Sequence, residues 1–313
     1  MGKPFNYGGQ AVIEGVMMRG AKKMCVAVRA PNGEIVIHCE PLNPHIYASF
    51  IAKVPFVRGL TMLWDALGLG IRTLIFSADV AMGDEEVEFS GPIAWGTIAF
   101  SLVMAIAVFF VGPLLLVGLV DRFITSHFIS NVVEGIIRLV FLLVYIWAIG
   151  FIPDIRRVFG YHGAEHKAIN AYEADDELTV HDVGRNSLVH PRCGTAFLLV
   201  VVVISILIFA LLGRPPLLLR IVSRIVLIPV IAGIAYEFIK FSAAHQDYWL
   251  MRILISPGLW LQGLTTRPPE TSMLEVAIAA LQRLLVEEHM VATAGEAVSA
   301  STVAIASTVQ AEG

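Results

Sequence analysis

The chain has 313 residues, of which 57% are hydrophobic and 15% charged, with a mean hydropathy of +0.75. Soluble domains run at about 45–50% apolar and about 25% charged, so this composition excludes an ordinary soluble protein and points to an integral membrane one. The net charge of −4 argues against a nucleic-acid partner, and three cysteines (Cys25, Cys39 and Cys193) are an odd, sparse set that argues against a disulfide framework and fits a reducing compartment.

Met1 to Gln10 is polar and Gly-rich and lacks the apolar core of a signal peptide. Residues 1–43 read as a small cytoplasmic β unit. Ala11 to Met18 is a possible strand. Met24 to Ala30 and Glu34 to Glu40 flank Pro31-Asn32-Gly33, a hairpin signal. Ile35 and Ile37 alternate with Val36 and His38, which allows one buried face. Glu14 and Arg19 lie in or beside the segment Gly15 to Gly20, expected as a surface strand and turn. The alternative is that Gln10 and Glu14 complete a polar site.

Residues 44–91 predict amphipathic, interfacial helices broken at Pro55. Phe56 to Ala81 carries Arg58, Asp65, Arg72 and Asp79 at intervals of seven, one stripe of a helix. A charge every two turns suits an interfacial helix better than a span. Gly83 to Ser90 is an acidic linker.

Residues 92–153 predict transmembrane helices at Ile93 to Val120, interrupted by Gly112-Pro113, and at Val132 to Ile152. Glu134 and Arg138, near the start of the second, are spaced to pair on one face. Residues 194–240 predict two more, Thr195 to Leu212 and Leu217 to Ile239, joined by Gly213-Arg214-Pro215-Pro216. Arg220 and Arg224 are expected to snorkel to the interface rather than face inward. Residues 241–290 read as cytoplasmic or interfacial. Leu250 to Leu264 is too short, and too broken by Arg252 and Ser256-Pro257-Gly258, to span. Ser272 to His289 is a helix with one apolar stripe through Leu274, Ala277, Ile278, Leu281 and Leu285. His245 and Asp247 are polar residues that a fold can bring toward the insert described next. Residues 291–313 are a low-complexity tail, expected to be disordered. The fold class is therefore mainly α: a polytopic membrane protein with about four transmembrane helices, a small N-terminal β unit and interfacial amphipathic helices. No internal repeat is visible.

Residues 154–193 form a polar insert between apolar segments, and it is rich in metal-ligand residue types. If Ile155 to Tyr172 is a helix, His162 and His166 lie on one face, with Glu165 at its edge. H-x-x-E-H is the inverted form of H-E-x-x-H; both place two His on Zn, with the Glu as general base. His190-x-x-Cys193 adds a second short ligand spacing. The candidate metal ligands are thus His162, His166, His190 and Cys193, the candidate catalytic residue is Glu165, and the candidate ion is Zn. Four protein ligands would close the site, which is the structural arrangement. A hydrolytic site keeps one position open, with His190 or Cys193 as third ligand but not both. The alternative is a metal-free polar network in which His162 and His166 cap a membrane helix and Glu165 pairs with Lys167 or Arg157.

Gly8-Gly9-Gln10-Ala11-Val12-Ile13-Glu14-Gly15-Val16-Met17-Met18-Arg19-Gly20, Tyr161-His162-Gly163-Ala164-Glu165-His166-Lys167, His190-Pro191-Arg192-Cys193-Gly194-Thr195, Pro257-Gly258-Leu259-Trp260-Leu261-Gln262 and Leu264-Thr265-Thr266 are distinctive runs. Through them the chain resembles, over roughly residues 5–290, the YqhQ-like family of bacterial membrane proteins. The resemblance implies a multi-pass protein and a metal-dependent enzyme, with ligands at His162, His166, His190 and Cys193 and with Glu165 beside them. It implies no particular reaction.

Four spans put both termini and the insert on one side. That side carries Arg156, Arg157, Lys167, Arg185 and Arg192, flanked by Arg72, Lys240 and Arg252; the opposite loops carry Arg122 and Arg214, and Arg220 and Arg224 at the start of the fourth span dilute the bias. The bias places the termini and the insert in the cytoplasm, at the cell membrane. Three functions compete. One is a Zn-dependent hydrolase acting on a lipid head group or a membrane-adjacent peptide. Another is a structural or assembly factor that uses residues 1–90 and 240–290 to bind a partner such as membrane-protein insertion machinery. The third is a transporter lined by Glu134, Arg138, Arg220 and Arg224. The expected partners are membrane lipids and possible membrane proteins, with no nucleic acid.

Overall fold

A computed structural model describes residues 7–43, 54–83, 92–213, 215–245 and 248–289. Asp247, the linker beyond Gly83 and the tail 291–313 lie outside the described residues.

Strands β1 (Gly8–Val12), β2 (Gly15–Arg19), β3 (Lys23–Arg29) and β4 (Ile35–Pro41) form one antiparallel sheet in sequence order. Ala11 to Met18 is therefore not one strand. The chain reverses at Ile13-Glu14, where Glu14 adopts φ 48°, and Gly8 to Val12 pairs back on Gly15 to Arg19. Nor is Gly15 to Gly20 a surface segment: both faces of β2 and β3 are covered. Val16, Met18, Cys25 and Ala27 face one core, and Met17, Met24, Val26 and Val28 face another. A strand buried on both faces reads as an unbroken apolar run, which is how Met24 to Val28 reads.

Cys25 and Cys39 stand directly opposite each other across β3 and β4, with Cα atoms 4.1 Å apart, and form a disulfide. This overturns the expectation that both are reduced. The hairpin register brings them together, and that register is not visible in a count of cysteines.

The chain is otherwise mainly helical. The helices are α1 (Val57–Met82), α2 (Pro92–Ile106), α3 (Gly112–Val120), α4 (His127–Ile149), α5 (Pro153–Glu173), α6 (Val180–Arg185), α7 (Gly194–Leu211), α8 (Leu217–Val226), α9 (Ile228–Ala244), α10 (Trp249–Thr265) and α11 (271–289). Five stretches among the described residues are long and apolar enough to cross a membrane: Val57–Met82, Trp95–Val120, His127–Ile149, Gly194–Leu211 and Leu218–Ser242. The addition to the four expected is α1. Its first turn packs on α9, where Arg58 pairs with Glu237 and a Cβ on Gly59 would meet Tyr236 at 2.8 Å. Its second half packs on the sheet through Leu69, Phe76 and Val80, and Ser77 Oγ accepts from the Ile13 amide at 3.2 Å.

The other face of the sheet carries α5, α6 and α11. Helix α11 is bound to the sheet at both ends. Arg29 bonds Glu275 at 2.7 Å, and Glu288 accepts from the Lys22 and Lys23 amides at 2.8 Å.

Two prolines shape the apolar helices. Pro113 has no N–H to give the Phe109 carbonyl four residues back, and the chain passes from α2 to α3 through a π-helical turn, Ala107–Val111. The freed Phe109 carbonyl accepts from Arg138 Nε at 3.1 Å. Pro229 starts α9, so Leu217 to Ile239 is two helices rather than one. By contrast, α10 continues through Pro257. Arg220 and Arg224 do not snorkel. Both are buried and converge on Glu134, at 2.5 Å and 3.2 Å, beside the expected Glu134–Arg138 pair at 3.1 Å. A carboxylate one element away offers these guanidiniums a partner inside the bundle, so they turn inward.

Candidate metal centre

Helix α5 begins with Pro153 in its first turn, a position where a missing N–H costs nothing. It then buries Tyr161, Ala164, Glu165, His166, Ala168 and Ile169. Gly163 sits where the helix meets the segment after α10. A Cβ there would lie 2.2 Å from the Arg267 carbonyl oxygen and 2.9 Å from Leu188 Cδ2. This close approach brings backbone carbonyls within reach of both histidines. Gly163→Ala is expected to cost about 1–3 kcal/mol as an overpacked contact against rigid backbone. A denaturation midpoint equal to wild type would contradict that packing.

His162 Nδ1 lies 2.9 Å from the Thr265 carbonyl, and His166 Nδ1 lies 2.6 Å from the Leu188 carbonyl. A carbonyl only accepts, so each Nδ1 carries a proton, and in the neutral ring each Nε2 then presents a lone pair. His162 Nε2 is 3.2 Å from Cys193 Sγ. His166 Nε2 is buried with no hydrogen-bond partner. Ligand atoms of His162, His166 and Cys193 all lie within 4.8 Å of one another. Imidazoles oriented through Nδ1 by carbonyls, with Nε2 directed inward, are the usual outer-shell arrangement of His-ligated metal.

Cys193 is the N-cap of α7, where its sulfur accepts from the Thr195 amide at 3.4 Å. The turn before it is held by Gln262 on α10, a fully buried amide. Gln262 Oε1 accepts from the His190 N–H at 3.0 Å, and Gln262 Nε2 donates to the His190 carbonyl at 2.8 Å. His190 is buried beside this group, its ring 5.6 Å from that of His166. Its Nε2 lies 3.7 Å from Glu173 and 3.3 Å from Arg192, and it is not one of the three converging ligands. Burial, then Arg192 and the two other histidines, lower its pKa to about 3, so His190 is neutral.

Glu165 is buried, 4.0 Å from His162 Nε2. Burial raises its pKa to about 7, against the pull of His162 and of a backbone hydrogen bond from Gly9. Strand β1 closes over it. A Cβ on Gly9 would lie 2.8 Å from Glu165 Cγ and 2.7 Å from the Met17 carbonyl, so only glycine leaves room for the carboxyl. Neither Lys167 nor Arg157 pairs with Glu165. Lys167 donates to the Gly184 and Asn186 carbonyls, and Arg157 forks onto Glu14 at 2.5 Å and 2.7 Å. Glu14 also accepts from Tyr161 Oη at 3.2 Å, and the Arg157 guanidinium holds its carboxyl below the usual range. Glu14 thus ties the sheet to α5 without reaching the ligand group, and Gln10 packs against Gly70 instead. His245 Nδ1 bonds the Phe241 carbonyl of its own helix at 2.8 Å.

Residues 54–287 match the family described as "Protein of unknown function (DUF1385)". The chain belongs to that family. It is also 35% identical, over 295 residues covering 90% of this chain and 93% of the relative, to the "Uncharacterized protein YqhQ" of Bacillus subtilis (strain 168). These findings support the YqhQ-like resemblance and carry no activity with them. No solved structure matches the chain.

Sequence reasoning missed Gln262, Thr265, Leu188 and Gly9 as parts of the site. Gln262, Thr265 and Gly9 lie in distinctive runs noted for resemblance and not for this site. Leu188 and Thr265 act through their carbonyls, which every residue has, so no side-chain signal marks them.

Proposed function

We propose that this family member is a multi-pass cell-membrane protein with a Zn site at its cytoplasmic face, and that the site is hydrolytic. One observation carries the reading: two imidazoles are fixed through Nδ1, both lone pairs are directed inward beside the Cys193 sulfur, and one of them is buried without a partner. An unsatisfied buried acceptor is costly, and an ion would remove the cost. The donor set, two nitrogens and a sulfur, suits Zn. Three ligands rather than four, with His190 turned to Glu173 and Arg192, favour an open site over a closed one.

A divalent ion held there supplies Lewis-acid polarisation of an oxygen bound to it. The protein's own residues do the rest. Thr265 and Leu188 hold the tautomers. Gln262 holds the turn that carries Cys193. Glu165, in its dry pocket under Gly9, is placed to accept a proton at Oε2 and pass it to a leaving group. A cavity of about 530 Å³ lies along α5, lined by Arg156, Arg157 and Arg267 with Glu270 as its one acidic group; its net positive lining suits an anionic lipid head group or an acidic membrane-adjacent peptide, although none of His162, Glu165, His166 or Cys193 lines it.

Chain connectivity supports four crossings. The sheet and α5 share one core, so residues 43–153 must cross an even number of times. Of the three apolar stretches between them, α1 has the lowest hydropathy, 1.3 against 2.7 and 2.2, and packs half its length on the sheet. It is read as running from α9 to the sheet without crossing the bilayer. With Arg220 and Arg224 turned inward, the loops opposite the insert keep only Arg122 and Arg214, which sharpens the positive-inside bias. The Cys25–Cys39 disulfide removes the argument from reduced cysteines, so orientation rests on that bias.

The second reading is structural: the ligand group joins α5 to α7, with α10 behind it, so an ion would clamp the sheet-bearing layer to the apolar helices. The two separate on Glu165→Gln. For a hydrolase, this variant keeps its Zn and abundance but fails to restore the phenotype of a gene deletion. Full complementation by E165Q would remove the hydrolase and leave the clamp.

A further inference from the structure

Glu134, Arg138, Arg220 and Arg224 lie away from the candidate metal centre, at the opposite end of the apolar helices. Arg220 and Arg224 sit about 5 and 10 Å along α8 from its start, at 1.5 Å per residue. All three guanidiniums share the single Glu134 carboxylate. The next acidic group among the described residues is Asp121, 3.9 Å from Arg220 Nη1. Among the described residues, three positive charges thus face two negative ones in an apolar setting. Two buried N–H groups of this cluster, Arg220 Nε and Arg224 Nη1, have no hydrogen-bond acceptor. The Phe209 ring, 3.9 Å from Arg224 Cζ, covers one face of that guanidinium but accepts no such bond.

A slot leads to this cluster. It has a volume of about 130 Å³ and is walled by Ile106, Val111, Leu114, Ile221, Ile225 and Ile228, with Glu134 and Arg224 as its polar lining. Its rim is open: Ile225 is 54% exposed and Ile106 42%. An apolar slot ending on a buried cation with unused donors has the chemistry of an amphiphile site, anionic at the inner end and aliphatic along the walls. The depth of the arginines matches the head-group and glycerol level of a leaflet whose surface lies at the α8 start.

We infer that this slot binds one anionic phospholipid, its phosphodiester on Arg224 and an acyl chain between α2–α3 and α8. The inference goes beyond the metal-centre reading and rests only on its membrane component. The phosphate completes the hydrogen bonding of Arg224 and the charge balance around Glu134, and the acyl chain covers the open rim.

The test uses the full chain, purified in detergent and stripped of lipid, with thermal melting as readout. Phosphatidylglycerol at about a hundredfold over its Kd is expected to raise Tm by about 5–10 °C, while phosphatidylcholine and inorganic phosphate leave it unchanged. Ile225→Trp adds bulk at an exposed rim position and leaves every charge in place. It is expected to melt like wild type without lipid and to lose the shift. Arg224→Lys, which keeps the charge but loses the fork, is expected to weaken the lipid response at least tenfold. Equal shifts with phosphatidylcholine, a shift with inorganic phosphate alone, or an undiminished shift in I225W each overturn the site. Flotation of wild type with membranes is scored separately. Failure to float overturns the membrane reading, and flotation without a phosphatidylglycerol-specific shift overturns the lipid site alone.

Discussion

Purified wild-type protein is expected to carry about one Zn per chain by elemental analysis, and His166→Ala or Cys193→Ser to carry almost none. His166 has the unpartnered Nε2, and Cys193 supplies the only sulfur in the converging group. Removing an outer-shell partner typically costs about 10–100-fold in affinity, and removing a ligand costs more. The discriminating variant is His190→Ala. Its side chain faces Glu173 and Arg192, while Gln262 holds only its backbone, which alanine retains. H190A is therefore expected to keep its Zn. Loss of metal from H190A as complete as from C193S would restore the closed, four-ligand arrangement and with it the structural reading. Zn in none of the preparations would end the metal proposal and leave a polar network.

Glu134→Ala is expected to be the most destabilising single change among the apolar helices, at about 3–5 kcal/mol. Three guanidiniums, on α4 and α8, lose their shared carboxylate, and none is positioned to reach water by a rotamer change, since each is 4–6% exposed. The cost is that of stranded charge rather than of a lost contact. Replacing one member of a buried ionic group is worse than replacing the whole group by apolar side chains of similar volume. A thermal scan of the purified, lipid-stripped variant beside wild type measures it. A midpoint within a degree of wild type would mean that these arginines have another anion, and the convergence on Glu134 would then not be what holds α4 to α8.

Most of the element order was legible from local pattern. The breaks at Pro31-Asn32-Gly33 and Gly213-Arg214-Pro215-Pro216, the helix carrying His162 and His166, and the apolar stripe of 271–289 each follow from turn chemistry or a 3.6-residue period. The misreadings share a cause. Arg220 and Arg224 read as snorkelling because position along a helix does not say whether a carboxylate waits on a neighbouring one. Gly15 to Gly20 read as surface because both layers that bury it, α1 and α5 with α11, lie more than thirty residues downstream. The interruption expected at Gly112-Pro113 is there, and only the fold shows its form: a π turn whose freed carbonyl a guanidinium from α4 takes up.

By itself the sequence determined a mainly helical, strongly apolar chain and a short insert dense in His, Glu and Cys, because composition and periodicity are local properties. Only the tertiary structure decided which of those groups meet. Ring orientation is set by carbonyls of Leu188 and Thr265, and the aim of the Cys193 turn by Gln262, through hydrogen bonds between segments far apart in the chain. That geometry separates His190 from the ligand group and pairs Cys25 with Cys39.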